Sequence, residues 1–305
     1  MTDFKNEFTW SFSRHRTFTT CERKYYYNYY GNWGGWDAKA DEEVKKLYML
    51  KNMTSLPMLA GSLVHNEVER ILKSVRNGWN FAQEDSEKNI ITTFKRSWSQ
   101  SKNKDWVKNV KHNTNLFEHY YEQEISNDRL FEIRDIMIDS IKGFYDSDSF
   151  AFIKTLAITE WLSIEALDSF EIEDTKIWVK LDFAARHGER AYIYDWKTGK
   201  EVKEDENQLA VYTLYAMEKW DVEMKQVRLF DVYLMKQIPV KVKPSVALIN
   251  NVMQIIQQSI EGMKSLLDDV SENKASIGKF PKVNDATEDS WPCSYCNFKE
   301  VCYAD

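Results

Sequence analysis

The chain is 305 residues long, with 41 Lys and Arg against 48 Asp and Glu and a formal charge of −7. That length suits one large domain or two small ones, with a core that needs no disulfide staples. The acidic balance excludes a histone-like, globally basic nucleic-acid coat but leaves room for a local basic groove.

No apolar run approaches the ~18 residues of a membrane span, and the N-terminal stretch lacks a secretory apolar segment, so a soluble, cytoplasmic protein is expected. With 10 Gly and 5 Pro the chain does not read as linker-rich. Residues 8–36 are aromatic and basic, and residues 37–56 are charged and read as mobile. A helix is expected to open at Gly61-Ser62, with Val64, Val68, Ile71, Leu72 and Val75 on one apolar stripe. Residues 81–155 read as further amphipathic helices. The pattern then changes: 157–167, 176–186 and 191–197 alternate and are rich in Ile, Val, Trp, Tyr and Phe, which predicts strands. A helix over 205–220, a strand over 227–234 and a long helix traced by Val246, Ile249, Met253, Ile256, Ile260, Met263 and Leu267 follow. Residues 268–292 form a polar loop leading to the last cysteines. These elements imply an α/β core with a helical arm.

If 176–186 and 191–197 pair antiparallel, residues 187–190 form a turn that suits Gly188, and Asp182 faces Asp195. Two facing carboxylates repel, so a cation between them is the natural explanation. Mg²⁺ is held by one or two carboxylates and completes its shell with water and phosphate oxygens. Lys197 shares the face of Asp195 and can stabilise charge developing on a phosphate. The plainer alternative is a same-face ion pair of Asp195 and Lys197, with Asp182 solvated. His65 borders the apolar stripe near the first helical turn, where it is either a metal ligand or a half-buried imidazole bonded to a carbonyl. Gln208 and Tyr212, four apart, share a helix face and either hold substrate or Lys197 or are ordinary surface.

Four cysteines remain: Cys21 near the start and Cys293-x2-Cys296-x5-Cys302 at the end. This spacing suits tetrahedral zinc or an iron–sulfur cluster, and a reducing cytosol disfavours disulfides.

Taken in order, these motifs resemble the RecB-like exonuclease branch of the PD-(D/E)xK nuclease superfamily, including CRISPR-associated RecB-like exonucleases and the AddB nuclease domain. They are Cys21-Glu22-Arg23-Lys24-Tyr25-Tyr26-Tyr27, Gly61-Ser62-Leu63-Val64-His65, Lys180-Leu181-Asp182, Tyr194-Asp195-Trp196-Lys197-Thr198-Gly199, Gln208-x3-Tyr212 and the terminal cysteines. The resemblance implies a restriction-endonuclease-like mixed sheet flanked by helices. It implies one nuclease domain over 1–305, divided as an N-terminal cluster segment (1–60), a helical region (61–155), a catalytic α/β core (156–240) and a C-terminal helix with the cysteines (241–305).

By the same resemblance His65, Asp182, Asp195 and the Trp196 carbonyl hold Mg²⁺ or Mn²⁺, Lys197 is catalytic, and Gln208 and Tyr212 support the site. Cys21, Cys293, Cys296 and Cys302 bind a 4Fe–4S cluster that clasps the two chain ends. The sequence departs from the family at Val179, where a Gly is common, and at Glu22, where a Pro is common. The activity implied is hydrolysis of DNA from an end with single strands preferred. The alternatives are a catalytically degenerate DNA-binding or scaffold module, or a nuclease with zinc at the cysteines and endonuclease activity. Arg14, Arg16, Arg23, Lys24 and Tyr25 are expected to contact DNA. No Gly-x4-Gly-Lys-Ser/Thr sequence is present, so a helicase would be a separate partner.

Overall fold

The computed structural model describes residues 5–199, 205–236 and 238–304. The chain enters on a short strand, β1 (Thr9–Ser11), and turns directly into α1 (Phe12–Thr20). Ser11 caps that helix by accepting the Arg14 N–H at 3.1 Å. Cys21 ends α1 and caps α2 (Glu22–Tyr26), its Sγ accepting the Lys24 N–H at 3.4 Å. The stretch expected to be mobile contains α3 (Glu42–Lys51), which buries Leu47 and Leu50. Their three-residue spacing is a helix signal that the surrounding charges obscure.

Helix α4 (Leu56–Arg76) begins five residues before the expected start, with a proline in its first turn where no N–H partner is lost. Val64, Val68, Ile71 and Leu72 are buried as the stripe requires. Four more helices complete the arm: α5 (Gln83–Lys102), α6 (Phe117–Tyr120), α7 (Asn127–Asp146) and α8 (Asp148–Ile153).

The remaining strands are β2 (Trp161–Ile172), β3 (Thr175–His187), β4 (Arg190–Lys197), β5 (Val227–Tyr233) and β6 (Ile238–Val242). Helices α9 (Asp205–Trp220), α10 (Val246–Ser265) and α11 (Lys299–Tyr303) complete the chain. β2 starts at Trp161 because residues 158–160 form a 3-10 turn. β1 and β6, at three and five residues, are too short to show alternation.

All six strands form one mixed sheet. β2 pairs antiparallel along β3. On the other edge of β3, β1 runs parallel at its start (Thr9–Lys176 to Ser11–Trp178) and β4 antiparallel at its end (Phe183–Tyr194 to His187–Arg190). The carboxyl ends of β1 and β4 therefore point toward each other. Residues 179–182 lie between them with no strand along that edge among the described residues. The β3–β4 pairing has the expected register, closed tightly at Gly188 with φ +59°. Helix α9 then crosses over to β5, which lies parallel to β4.

Two cores sandwich the sheet. One combines Ile177, Leu181, Ile193 and Leu229 with Leu209 of α9, Ile256 of α10 and the N-terminal rings of Trp10, Tyr25 and Tyr30. The other combines Ile164, Phe183, Tyr194 and Trp196 with the arm residues Val64, Val68, Met137 and Phe144.

Candidate active site

The gap between β1 and β4 opens into a cleft of about 1190 Å³, lined among others by His65, Glu165, Asp182, Asp195, Lys197, Gln208 and Tyr212. Its floor is set by a kink in two strands. On β3, Leu181 packs in the first core and Phe183 in the second; on β2, Ile164 packs in the second core and Phe170 in the first. Both strands change faces between the paired rungs Ile164–Phe183 and Ala166–Leu181. Glu165 and Asp182 occupy the rung between. Glu165 has φ +50°, a left-handed conformation that costs a non-glycine residue about 1–3 kcal/mol and recurs at functional sites.

Helix α4 supplies the facing wall. Met58, Gly61, Ser62 and His65 line the cleft at helical spacing. A Cβ at Gly61 would come within 3.3 Å of Thr198 Oγ1, so glycine lets α4 approach the end of β4. His65 Nδ1 then stands 3.2 Å from Glu165 Oε1 and 3.3 Å from Asp182 Oδ1. The ligand atoms of His65, Glu165 and Asp182 all lie within 4.8 Å of one another. An imidazole with two carboxylates is a hard, oxygen-rich donor set that fits Mg²⁺ or Mn²⁺.

The second oxygen of Asp182, Oδ2, accepts the Trp196 N–H at 2.7 Å, which ties the first acid to the strand that carries the second. Asp195 turns its oxygens to a different set of partners. Its Oδ1 takes hydrogen bonds from Gln208 Nε2 at 3.3 Å and the Tyr212 hydroxyl at 3.2 Å; its Oδ2 lies 2.7 Å from Lys197 Nζ. Lys197 also reaches Gln208 Oε1 at 3.4 Å and Asp231 Oδ1 at 3.8 Å. Asp231 sits beside Asp195 in the parallel β4–β5 register.

Burial, and then the Asp195 charge, push Asp182 up to about 6. Burial alone would lower His65, but the Asp182 and Glu165 carboxylates outweigh it and hold the proton well above the usual imidazole range. Burial likewise opposes ionisation of Glu165, yet hydrogen bonds from His65 and Lys180 keep its carboxyl below the ordinary value.

The structure thus brings His65, Asp182, Asp195, Trp196, Lys197, Gln208 and Tyr212 to one cleft. Sequence reasoning missed Glu165 and Asp231. Both are acids inside apolar strand runs, Ile164-Glu165-Ala166 and Phe230-Asp231-Val232. A buried-strand carboxylate of that kind was the available signal.

The expected DNA contacts divide. Arg14, Arg16 and Lys24 line the cleft. Arg23 instead donates from Nε to the Phe280 carbonyl at 2.6 Å, fastening α2 to the C-terminal strap. The expectation for Tyr25 is corrected. Tyr25 is fully buried, and Arg14, 4% exposed, spends its guanidinium on the hydroxyls of Tyr25, Tyr30 and Thr9 and on the face of Tyr29. A guanidinium held by phenol groups in this way organises the core at the cleft wall.

All four cysteines are free thiols lining one cavity of about 100 Å³, together with Lys24 and Lys299. Burial pushes Cys296 up to about 11. The cavity joins the N-terminal Cys21 to the C-terminal trio, and Lys24 lines both it and the cleft.

A sequence model of the PD-(D/E)XK nuclease superfamily matches residues 9–303. No curated protein sequence matches the chain. The mixed six-stranded sheet with flanking helices is consistent with a restriction-endonuclease-like fold. Among the described residues no helix is long and apolar enough to cross a membrane. With the match extending over nearly its whole length, the chain belongs to the PD-(D/E)XK nuclease superfamily.

Proposed function

We propose that the chain is a Mg²⁺- or Mn²⁺-dependent DNA exonuclease of the RecB-like branch, preferring single-stranded DNA. The observation that carries this reading is the convergence of His65, Glu165, Asp182, Asp195 and Lys197 on the floor of one open cleft. His65, Glu165 and Asp182, with Asp195 and the Trp196 carbonyl, are the residues that would hold the cation. When bound there, the cation polarises the scissile phosphate and lowers the pKa of the attacking water.

The chain's own groups divide the remaining work. Lys197, its side chain 18% exposed, places a positive charge where the phosphate becomes more negative. Gln208 and Tyr212 fix the orientation of Asp195 and, through Gln208 Oε1, that of Lys197. Phe12 and Trp178 line the same cleft, and such rings stack on unpaired bases, which favours a single strand.

A 4Fe–4S cluster at Cys21, Cys293, Cys296 and Cys302 is part of the proposal. The four thiols share one cavity. The Cys293-x2-Cys296-x5-Cys302 spacing with Cys21 supplies four thiolates, the number a 4Fe–4S cluster takes. We assign the protein to the cytoplasm, as a single nuclease domain that works on DNA ends beside a helicase or other DNA-processing partner.

The test is digestion of end-labelled single-stranded DNA with Mg²⁺ or Mn²⁺ by wild type, Asp195→Ala and Lys197→Ala. Loss in both variants supports the assignment. Equal rates in all three proteins reject it, and digestion only of closed circular substrates rejects the exonuclease reading.

A further inference from the structure

The acidic total conceals a local excess of the opposite sign. Between residues 95 and 111 the chain places Lys95, Arg96, Lys102, Lys104, Lys108 and Lys111 against a single acid, Asp105. All six cations are exposed. Some exposed helix cations elsewhere pair with neighbours, as in Lys73–Glu69, Arg129–Glu132 and Arg134–Asp135, and the unpaired ones, such as Lys88, Lys142 and Lys219, are scattered rather than grouped on one segment. Among the described residues none of these six has a carboxylate partner. Unneutralised like charges on one segment repel, which weakens the arm unless a polyanion occupies it.

A second observation points to the kind of polyanion. Lys102 and Lys104 border a cavity of about 220 Å³ whose other walls are Ser101, Trp106, His119, Tyr120 and one acid, Glu122. The Trp106 and Tyr120 rings lie 5.8 Å apart and tilted, both partly exposed. Ammonium groups beside aromatic faces are the two components of a single-strand track, one for the backbone and one for the base.

The segment is also tied to the cleft. The Glu118 carboxylate accepts the Leu56 N–H at 2.9 and 3.1 Å, and the Phe117 N–H donates to the Thr54 carbonyl at 2.7 Å. These bonds anchor the arm at the first turn of α4, where Met58 already lines the cleft.

We propose that residues 95–111, with the Trp106–Tyr120 cavity, form a second single-stranded DNA contact that holds the strand outside the catalytic cleft. The proposal takes the identity of the polymer from the nuclease reading, while its electrostatics stand apart from cleavage.

The test uses the full chain and a labelled thymidine strand of about 30 nucleotides, with Ca²⁺ in place of Mg²⁺ and salt varied. The variant carries Lys102→Gln, Lys104→Gln, Lys108→Gln and Lys111→Gln. The control carries Lys142→Gln, Lys219→Gln, Lys243→Gln and Lys274→Gln, all exposed positions on other segments. Each phosphate contact contributes about 0.7 to the single-strand salt slope, so the variant's slope flattens by about two to three and its affinity falls at least tenfold. Trp106→Ala alone lowers affinity about tenfold and leaves the slope unchanged. Cleavage of a strand of about five nucleotides stays at the wild-type rate in both the variant and the control, because none of the altered lysines lines the catalytic cleft.

A variant that binds like the control overturns the proposal, as does a blunt duplex that binds wild type as tightly as the single strand. Asp195-dependent cleavage with an unchanged slope removes the second contact alone. A flattened slope in a protein that cleaves nothing removes the nuclease reading alone.

Discussion

His65 Nδ1 stands 3.3 Å from Asp182 Oδ1, so an imidazole that must be neutral to ligate a metal keeps its proton against a carboxylate that must be ionised to do the same. Without a cation the two groups neutralise each other, with Glu165 as the second acceptor for the imidazole. A bound cation replaces that proton. Metal affinity and proton release are therefore linked at this site.

The pH dependence follows with a definite sign. Asp182 is raised from 3.8 to about 6 in the fold, so ionising it costs stability as pH rises through that interval. His65 is raised above 6.5, so its contribution is fully present below 6.5 and disappears as pH climbs through the folded value. Both groups make the metal-free site less favourable as pH rises, and a divalent cation reverses both. Melting curves should show a larger Mn²⁺-induced rise in Tm at pH 8 than at pH 5.5, by about 2 °C or more. Calorimetry in two buffers of different ionisation heat should show net proton release at pH 7. A Tm rise independent of pH would remove this linkage.

Glu165 is the candidate ligand that motif reading did not anticipate. Glu165→Gln keeps the shape and the left-handed backbone but removes a charge from the His65–Glu165–Asp182 group. Loss of a ligand or its close support typically costs 10–100-fold in metal affinity. Mn²⁺ titration followed by calorimetry should show a drop of at least tenfold with the circular dichroism spectrum unchanged. Wild-type affinity in this variant would place the cation elsewhere.

Asp231 offers a separate test of how Lys197 is aimed. The ammonium lies 2.7 Å from Asp195 and 3.8 Å from Asp231, so two acids hold it from adjacent strands. In Asp231→Asn the lysine is left to Asp195, and its charge is displaced from where the phosphate reacts. Such a change removes an interaction that matters in the transition state more than in substrate binding. Steady-state digestion of a short single strand should show kcat reduced about tenfold or more at nearly constant KM. A rise in KM with kcat intact would instead mean that Asp231 shapes substrate binding.

The parts of the fold that the sequence disclosed are those in which one physical signal dominates. Gly188 and the alternating strands on either side set the β3–β4 register, and that register places Asp182 near Asp195. The stripe from Val64 to Leu72 located α4, although its start was misplaced, because capping at Ser55 with Pro57 is a weaker signal than the run that follows. Glu165 was hidden because the face change at its rung breaks the alternation that strand reading depends on. Tyr25 looked like a surface DNA contact because composition does not reveal enclosure: the same ring belongs to a stacking platform when exposed and to a core when packed on Phe280 and Tyr30. Asp231 failed to register because an isolated acid in an apolar strand carries no spacing partner in the sequence.

The cysteine cavity provides the last prediction, which concerns how the chain ends are held. Cys21 caps α2 through the Lys24 N–H, Arg23 binds the Phe280 carbonyl, and the Arg23 N–H donates to the Pro281 carbonyl at 3.1 Å. The N-terminal helices and the C-terminal strap therefore meet through these polar contacts, through Phe280 packed on Tyr25, Tyr26 and Tyr30 and Phe298 on Tyr27, and through the cavity of four thiols. A cluster there would contribute its binding free energy directly to closing a loop of nearly the whole chain. Cys21→Ala should then lose broad visible absorption, iron content and several degrees of Tm together, and DNA cleavage should fall because Lys24 sits on the wall shared by cavity and cleft. Retention of colour and Tm would show that Cys21 is not a ligand. A colourless wild type carrying stoichiometric zinc would replace the cluster by zinc while leaving the clasp in place.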